Sequence, residues 1–133
     1  MLVINKQTDY AILFIYNLRQ KKDFVPLSEI VEKTKLPQRF LARIAAQLVK
    51  NQIITSREGK VGGYKLSINL NKLSLYDFLK IFEKETVVCR CLDDNYDCRY
   101  EKICHHHHFL KDQLNNIFIS RLKKIKLNQL FDK

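Results

Sequence analysis

With 133 residues, 46% of them apolar, and a formal net charge of +10, the chain suits a single domain with a modest core and is too apolar for a disordered tail. It lacks a run of about eighteen apolar residues, which excludes an ordinary membrane-spanning helix. The excess of Lys and Arg fits a polyanionic partner, because basic side chains displace the counterions condensed on phosphates.

The first segment, MLVINKQTDYAILFIYNL, is apolar but contains Asp9. It lacks a basic leader and a small-residue cleavage site, so it reads as part of the mature fold of a cytoplasmic protein rather than as a signal peptide. Residues 8–20 predict a buried helix capped by Thr8 or Asp9. After the loop KKDF, Pro26 opens a short helix in which Leu27, Ile30 and Val31 stand at helical spacing. Pro37 opens the next helix, where Phe40, Leu41, Ile44, Ala45 and Leu48 form one apolar face. Two short helices joined by a tight turn, the second beginning with Gln38, Arg39 and Arg43, predict a helix-turn-helix whose second helix enters the DNA major groove.

The stretch IITSREGKVGGYKLSI then alternates on both sides of a basic turn, which predicts a two-stranded wing. All three glycines of the chain, Gly59, Gly62 and Gly63, lie there, flanked by Arg57, Lys60, Tyr64 and Lys65. Glycine permits positive φ and close backbone approach to a phosphate. Residues 74–85 read as an amphipathic helix capped by Ser74, with Leu75, Phe78, Leu79 and Phe82 as its stripe. Phe109, Leu110, Leu114, Ile117, Phe118 and Leu122 mark a long C-terminal helix whose apolar face exceeds what one small domain covers, so it predicts a homodimer. The expected fold is mainly α with a small β wing. It divides into a winged helix-turn-helix domain over 1–85, a Cys/His loop over 86–108, and a dimerisation helix with tail over 109–133.

That loop, CRCLDDNYDCRYEKICHHHH, holds all four cysteines and all four histidines. In a chain with core enough to fold without staples, clustered cysteines read as metal or redox ligands rather than as disulfides. Cys91, Cys98 and Cys104 suit an iron–sulfur cluster, since thiolates are its preferred ligands and a loop lets them converge. A structural zinc site usually pairs its ligands two to four residues apart. Cys89 and Cys91 are too close for that pattern, and on an extended stretch they would point to opposite sides. The spacer LDDNYD keeps the loop facing solvent, as a sensor needs. A nucleophile–base pair and a phosphate-cradling loop opening a helix are both missing, so a non-enzyme is expected. Two rival readings remain: a DNA-binding protein with structural zinc, and a small metal or electron carrier that would not need the helix-turn-helix.

The order of these elements, with the GKVGGY wing and the cysteine loop, resembles the Rrf-two (Rrf2) family of bacterial winged-helix repressors over nearly the whole chain. The resemblance implies a homodimeric repressor that binds a pseudo-palindromic operator and senses redox, nitric oxide or iron and cluster status through a [2Fe–2S] or [4Fe–4S] cluster. Carried over, the cluster ligands are Cys91, Cys98 and Cys104. A fourth comes from His107, as in IscR-like members, or from Asp9 of the partner subunit, as in NsrR-like members. Cys89 is extra to this pattern and is expected to be dispensable. The family wing commonly reads Arg-Gly, whereas here Glu58 precedes Gly59, so Arg57 or Lys60 takes the wing arginine's part. Ala42 stands where IscR-like members carry an acidic base-reader, which implies a different operator.

Overall fold

A computed structural model describes residues 4–132. Helix α1 (Lys6–Arg19) buries Ala11, Phe14, Ile15 and Leu18 but leaves Leu13 and Tyr16 exposed, so it is covered on one side rather than all round. Its cap is Asn5, not Thr8 or Asp9. The Asn5 Oδ1 accepts from the Thr8 N–H at 2.8 Å, which satisfies one of the orphan donors of the first turn. Thr8 is instead wholly buried and donates its hydroxyl to Glu83 Oε1 at 3.1 Å.

Helices α2 (Leu27–Thr34) and α3 (Gln38–Lys50) each follow a proline, Pro26 and Pro37, in extended conformation. Proline costs nothing there, because the donor it lacks would have no partner within the helix. The turn between them passes through Lys35 in the left-handed region, φ +58°. Leu41, Ile44, Ala45 and Leu48 of α3 are buried with Ile30 of α2. Phe40 is not part of that stripe; it is exposed at the rim and meets Tyr10 edge-on at 5.6 Å.

Strands β1 (Ile54–Arg57) and β2 (Gly63–Leu66) form the expected antiparallel hairpin, with Ile54 opposite Leu66 and Arg57 opposite Gly63. The segment before α2 joins them, for Val25 and Tyr64 exchange two backbone hydrogen bonds of 2.8 Å. Gly63, at φ +139°, has no room for a Cβ against the Val25 carbonyl, and a Cβ on Gly62 would meet the carbonyl of Arg57. These glycines are therefore required by the packing of the wing itself.

Helix α4 (Leu75–Phe82) is capped by Ser74, which accepts from the Asp77 N–H at 3.1 Å, and it stops three residues short of the predicted end. The C-terminal rod is continuous but not uniform: α5 (His107–Phe109), a π-helical stretch (Leu110–Asn115) and α6 (Asn116–Lys124). The chain then turns back to the first domain. The Leu75 N–H donates to Ile125 and that of Leu127 to Leu73, both at 2.8 Å. Leu127 is completely buried, and Arg19 donates to Asn128 at 3.1 Å while lying over the Phe131 ring. The tail is thus part of the core. Among the described residues, no helix is long and apolar enough to cross a membrane.

Leu127→Ala is expected to destabilise the protein by about 2–5 kcal/mol, the usual cost of emptying a buried leucine site. Leu130→Ala, at a half-exposed position of the same turn, should change stability by less than about 0.5 kcal/mol. Urea unfolding of both variants checks this; equal, near-zero effects would mean that the tail is not docked.

Candidate nucleic-acid interface and metal centre

On α3 the buried face and the basic face are opposite. Gln38, Arg39 and Arg43 are all exposed, as are Ala42 and Gln47. Burying Leu41, Ile44, Ala45 and Leu48 leaves these polar positions on the outside of a 3.6-residue period. Four of the wing's candidate residues differ from Lys60 in what their side chains do. The Arg57 guanidinium is folded onto the hairpin: it lies 4.1 Å from the centre of the Phe24 ring, donates to the Val61 carbonyl at 2.7 Å and stands 3.8 Å from Asp23. Tyr64 is half-buried, with its ring edge-on to Phe14 at 5.5 Å. Gly62 and Gly63 shape the hairpin from within. Lys60 is exposed at the tip beside Val61, which is 76% exposed. Of these two cations, Lys60 is exposed at the tip and Arg57 is engaged within the hairpin and with Phe24.

The cysteine segment leaves α4 at Glu83 and makes two short 3₁₀ turns, Arg90–Leu92 and Glu101–Ile103, before the C-terminal rod. Cys89, Cys91, Cys98 and Cys104 are all reduced and half-buried, and all four line one cavity of about 870 Å³. His106, His107 and His108 line the same cavity. Of the four histidines, His107 is half-buried and the other three are exposed. Asp9 is exposed in the first turn of α1 and does not line this cavity. The spacer residues 94–97 are exposed, as a solvent-facing loop requires.

The expected divergence of Cys89 and Cys91 is not observed. Because Arg90–Leu92 is a tight turn and not an extended stretch, the two sulfurs come within 3.4 Å. Cys104 Sγ and His106 Nδ1 form a second close pair at 3.7 Å. The hydrogen bond with Cys89 raises the Cys91 thiol above its ordinary pKa, followed by desolvation and by the charges of Cys89, Cys98 and Cys104. The neighbouring cysteines thus make the Cys91 thiolate harder to form, and a cationic inorganic core would reverse that penalty. In donor type and gathering, the residues fit a thiophilic centre. They are not a closed coordination set, for among the described residues no three His, Cys, Asp or Glu side chains stand ready to hold a single metal ion. Sequence spacing did not reveal His106 or the Cys89 contact; the adjacency Cys-x-His and Cys-x-Cys was the available signal.

A helix-turn-helix with a hairpin wing, joined to a thiol-lined cavity at the base of a C-terminal helix, is the architecture of a winged-helix transcriptional regulator. The Rrf2 family profile, described as an iron-dependent transcriptional regulator, matches residues 4–133, and the chain belongs to that family. It is 26% identical over 123 residues to a protein of Aquifex aeolicus named as an HTH-type transcriptional regulator, covering 88% of this chain and 85% of that one. It is 25% identical to NsrR of Oceanobacillus iheyensis over 92 residues, 68% of this chain and 63% of NsrR. Solved structures share the fold. CymR of B. subtilis has a TM-score of 0.72 at 18% identity, covering 98% of this chain and 96% of that one. T. potens IscR has a TM-score of 0.68 at 20% identity, covering 98% and 86%. The expected family and fold class are therefore correct, and members of this family are transcriptional regulators, not enzymes.

In the apo protein, Cys89→Ala is expected to speed alkylation of Cys91 by iodoacetamide at pH 8 and to move the midpoint of its pH–rate curve down. Removing the Cys89 partner takes away the main influence holding that thiol protonated, and the thiolate is the reacting form. An unchanged midpoint, followed by mass spectrometry of the labelled peptides, would show that the contact does not set it.

Proposed function

We propose that this protein is a homodimeric repressor that reads a pseudo-palindromic operator with α3 and the wing, and whose affinity for DNA responds to an iron–sulfur cluster held in the cysteine loop. The observation that carries this reading is the convergence of every cysteine on one cavity beside the C-terminal rod, in a member of the Rrf2 family. Cys91, Cys98 and Cys104 would hold the cluster, with His107 or the partner subunit's Asp9 as fourth ligand. When bound, a cluster supplies a core that reacts with oxidants or nitric oxide and depends on iron supply. The protein's own part is to hold the thiols together on a solvent-facing loop, and to tie that loop to the helix that sets dimer geometry. That one relative is NsrR and one structural neighbour is IscR supports the cluster; that another neighbour is described as a global cysteine regulator means the fold alone does not select the signal.

The dimer rests on exposure. Phe109 is 61% exposed, Ile117 60%, Leu114 49% and Phe118 46%. Large apolar side chains exposed along one rod are the usual mark of an interface, and in a dimer reading a pseudo-palindrome the two α3 helices must sit about one DNA turn apart. In that arrangement Gln38, Arg39 and Arg43 face base edges, and Lys60 with the wing backbone follows the flanking phosphates. No residue of α3 lines the thiol cavity, so in this reading sensing acts through the relative placement of two subunits.

A second reading has an observation of its own. The Cys89–Cys91 and Cys104–His106 contacts bring four soft donors together as two short-range pairs, a donor set that tetrahedral zinc accepts. An anaerobic preparation separates the readings. Red-brown colour with iron and sulfide supports the cluster, and a colourless protein with stoichiometric zinc supports the alternative.

Two outcomes test the main reading. Alanine at Cys91, Cys98 or Cys104 should abolish cluster assembly on anaerobic reconstitution, measured by visible absorbance and iron content, and full occupancy in any of them would break the ligand assignment. Arg43→Ala should cost about 1–3 kcal/mol in specific DNA binding if it contacts a base. Undiminished operator selectivity in an Arg39/Arg43 double alanine variant, measured across a salt series, would remove α3 from the interface.

A further inference from the structure

Between His107 and Arg121 the C-terminal rod buries a single residue, and it is polar: Asn115, 7% exposed. Asparagine is a poor residue for the interior of a helix, and a buried amide is costly unless bonded. Its Oδ1 accepts a hydrogen bond from the Val88 N–H at 3.0 Å. Val88 immediately precedes Cys89, the first thiol of the loop.

The helix is deformed at this place. Leu110–Asn115 is π-helical, and the Asn116 N–H reaches back five residues to the Lys111 carbonyl. Along the rod the inward positions are Leu110, Asn115, Ile119 and Leu122, and the four residues between Leu110 and Asn115 are all exposed. A five-residue step on one face is what π-helical hydrogen bonding provides. In an uninterrupted α-helix, three- and four-residue steps inward from Leu122 and Ile119 would lead from Asn115 to Lys111 or Asp112. The π stretch keeps Asn115 turned toward the loop, with Leu110 the next less exposed position along the rod. At the other end of the same segment, Glu83 Oε1 accepts from the Thr8 hydroxyl at 3.1 Å and from the Asn5 N–H at 3.4 Å. The short run from Glu83 to Val88 is thus clipped to the start of α1 at one end and to the C-terminal rod at the other.

We propose that Asn115 is a positioning residue: through its bond to Val88 it sets the first limb of the thiol cavity, Cys89 and Cys91, on the C-terminal rod, so that loop and rod move together. This deepens the cluster reading above by naming the side chain that ties the thiol loop to the dimer helix, but the bond and the thiols belong to the apo chain and are tested there first.

The experiment uses the full-length apo protein, Asn115→Leu, which removes the acceptor at similar size, and Asn115→Asp, which keeps an oxygen in place. Hydrogen exchange of the Val88 amide should rise about tenfold in the Leu variant, since a buried hydrogen bond is lost. Alkylation of Cys89 and Cys91 should speed up by about threefold or more relative to Cys104, as expected for a loosened limb. Both should return to within about twofold of wild type in the Asp variant. Unchanged exchange at Phe14 and Leu41 shows that the core is intact, so a general loss of fold is separable from a local one. Unaltered Val88 exchange, unaltered thiol rates, or failure of Asp to restore them would overturn the proposal. After anaerobic reconstitution, iron should leave the Leu variant to a chelator faster than it leaves wild type or the Asp variant. Iron leaving the Leu variant at the wild-type rate would overturn the positioning role while the cluster reading stood. If wild type takes up no iron and sulfide, the cluster reading fails, and the apo measurements still decide the role of Asn115.

Discussion

Two backbone hydrogen bonds, Leu75 to Ile125 and Leu127 to Leu73, bring the chain back to its own first domain after the whole excursion through α4, the cysteine loop and the C-terminal rod. Because each end of that excursion is held by the backbone of the other, the C-terminal end of the rod is fixed relative to α4, and through Phe78, Leu79 and Phe82 relative to the core that carries α3. Leu122 and Leu127 are buried in that same core. Closing a long loop costs little more than closing a short one, since the entropic term grows only logarithmically. A long segment can therefore lie outside the core while the helix-turn-helix and wing keep a compact one.

The two functional regions are built on opposite principles. The helix-turn-helix and wing are rigid by packing: Val25 pairs with Tyr64, Tyr64 meets Phe14, and Arg57 is held by Phe24 and the Val61 carbonyl. The cysteine loop has almost no core of its own, and among its residues from Cys89 to Cys104 none is buried. At its start it is tied to the rod by the Val88–Asn115 hydrogen bond, and Cys89 and Cys91 are in mutual contact. Such a segment has low local stability, which is where a ligand can change conformation most for a given binding energy.

The readable part of this fold was the part written in punctuation and period. Pro26 and Pro37 mark helix starts, the three glycines mark the wing, and the spacing of Leu41, Ile44, Ala45 and Leu48 separates core from basic face without knowledge of any neighbour. The Asn5 cap was missed because Thr8 and Asp9 are equally capable caps by type, and what takes Thr8 out of that role is Glu83, seventy-five residues beyond it. The Cys89–Cys91 contact was missed because a non-periodic loop gives no sign of whether it is extended or turned. The π stretch was missed because its only trace is a polar Asn115 where the apolar stripe should continue. The docking of Leu127 depends on pairing with Leu73, which no local pattern foretells. As for the candidate site, residue types and clustering were legible, and the pairing among thiols and with His106 was not.

The same geometry bears on how a signal could travel. Gln38, Arg39 and Arg43 are exposed and none of them lines the thiol cavity. In a single chain the loop is joined to the first domain through Glu83 at the start of α1 and to the rod through Asn115. The rod's apolar residues Phe109, Leu114, Ile117 and Phe118 face away from that domain. A shift at the loop that changes both clips together would tilt the rod against α1, and in a dimer built on the rod a small tilt is magnified at α3 by the distance between them. A ligand can bias such a two-state arrangement only by its differential affinity for the two tilts. The thiols follow directly on a segment bonded to Thr8 at one end and to Asn115 at the other, so a ligand that tells two such arrangements apart would act on both bonds at once.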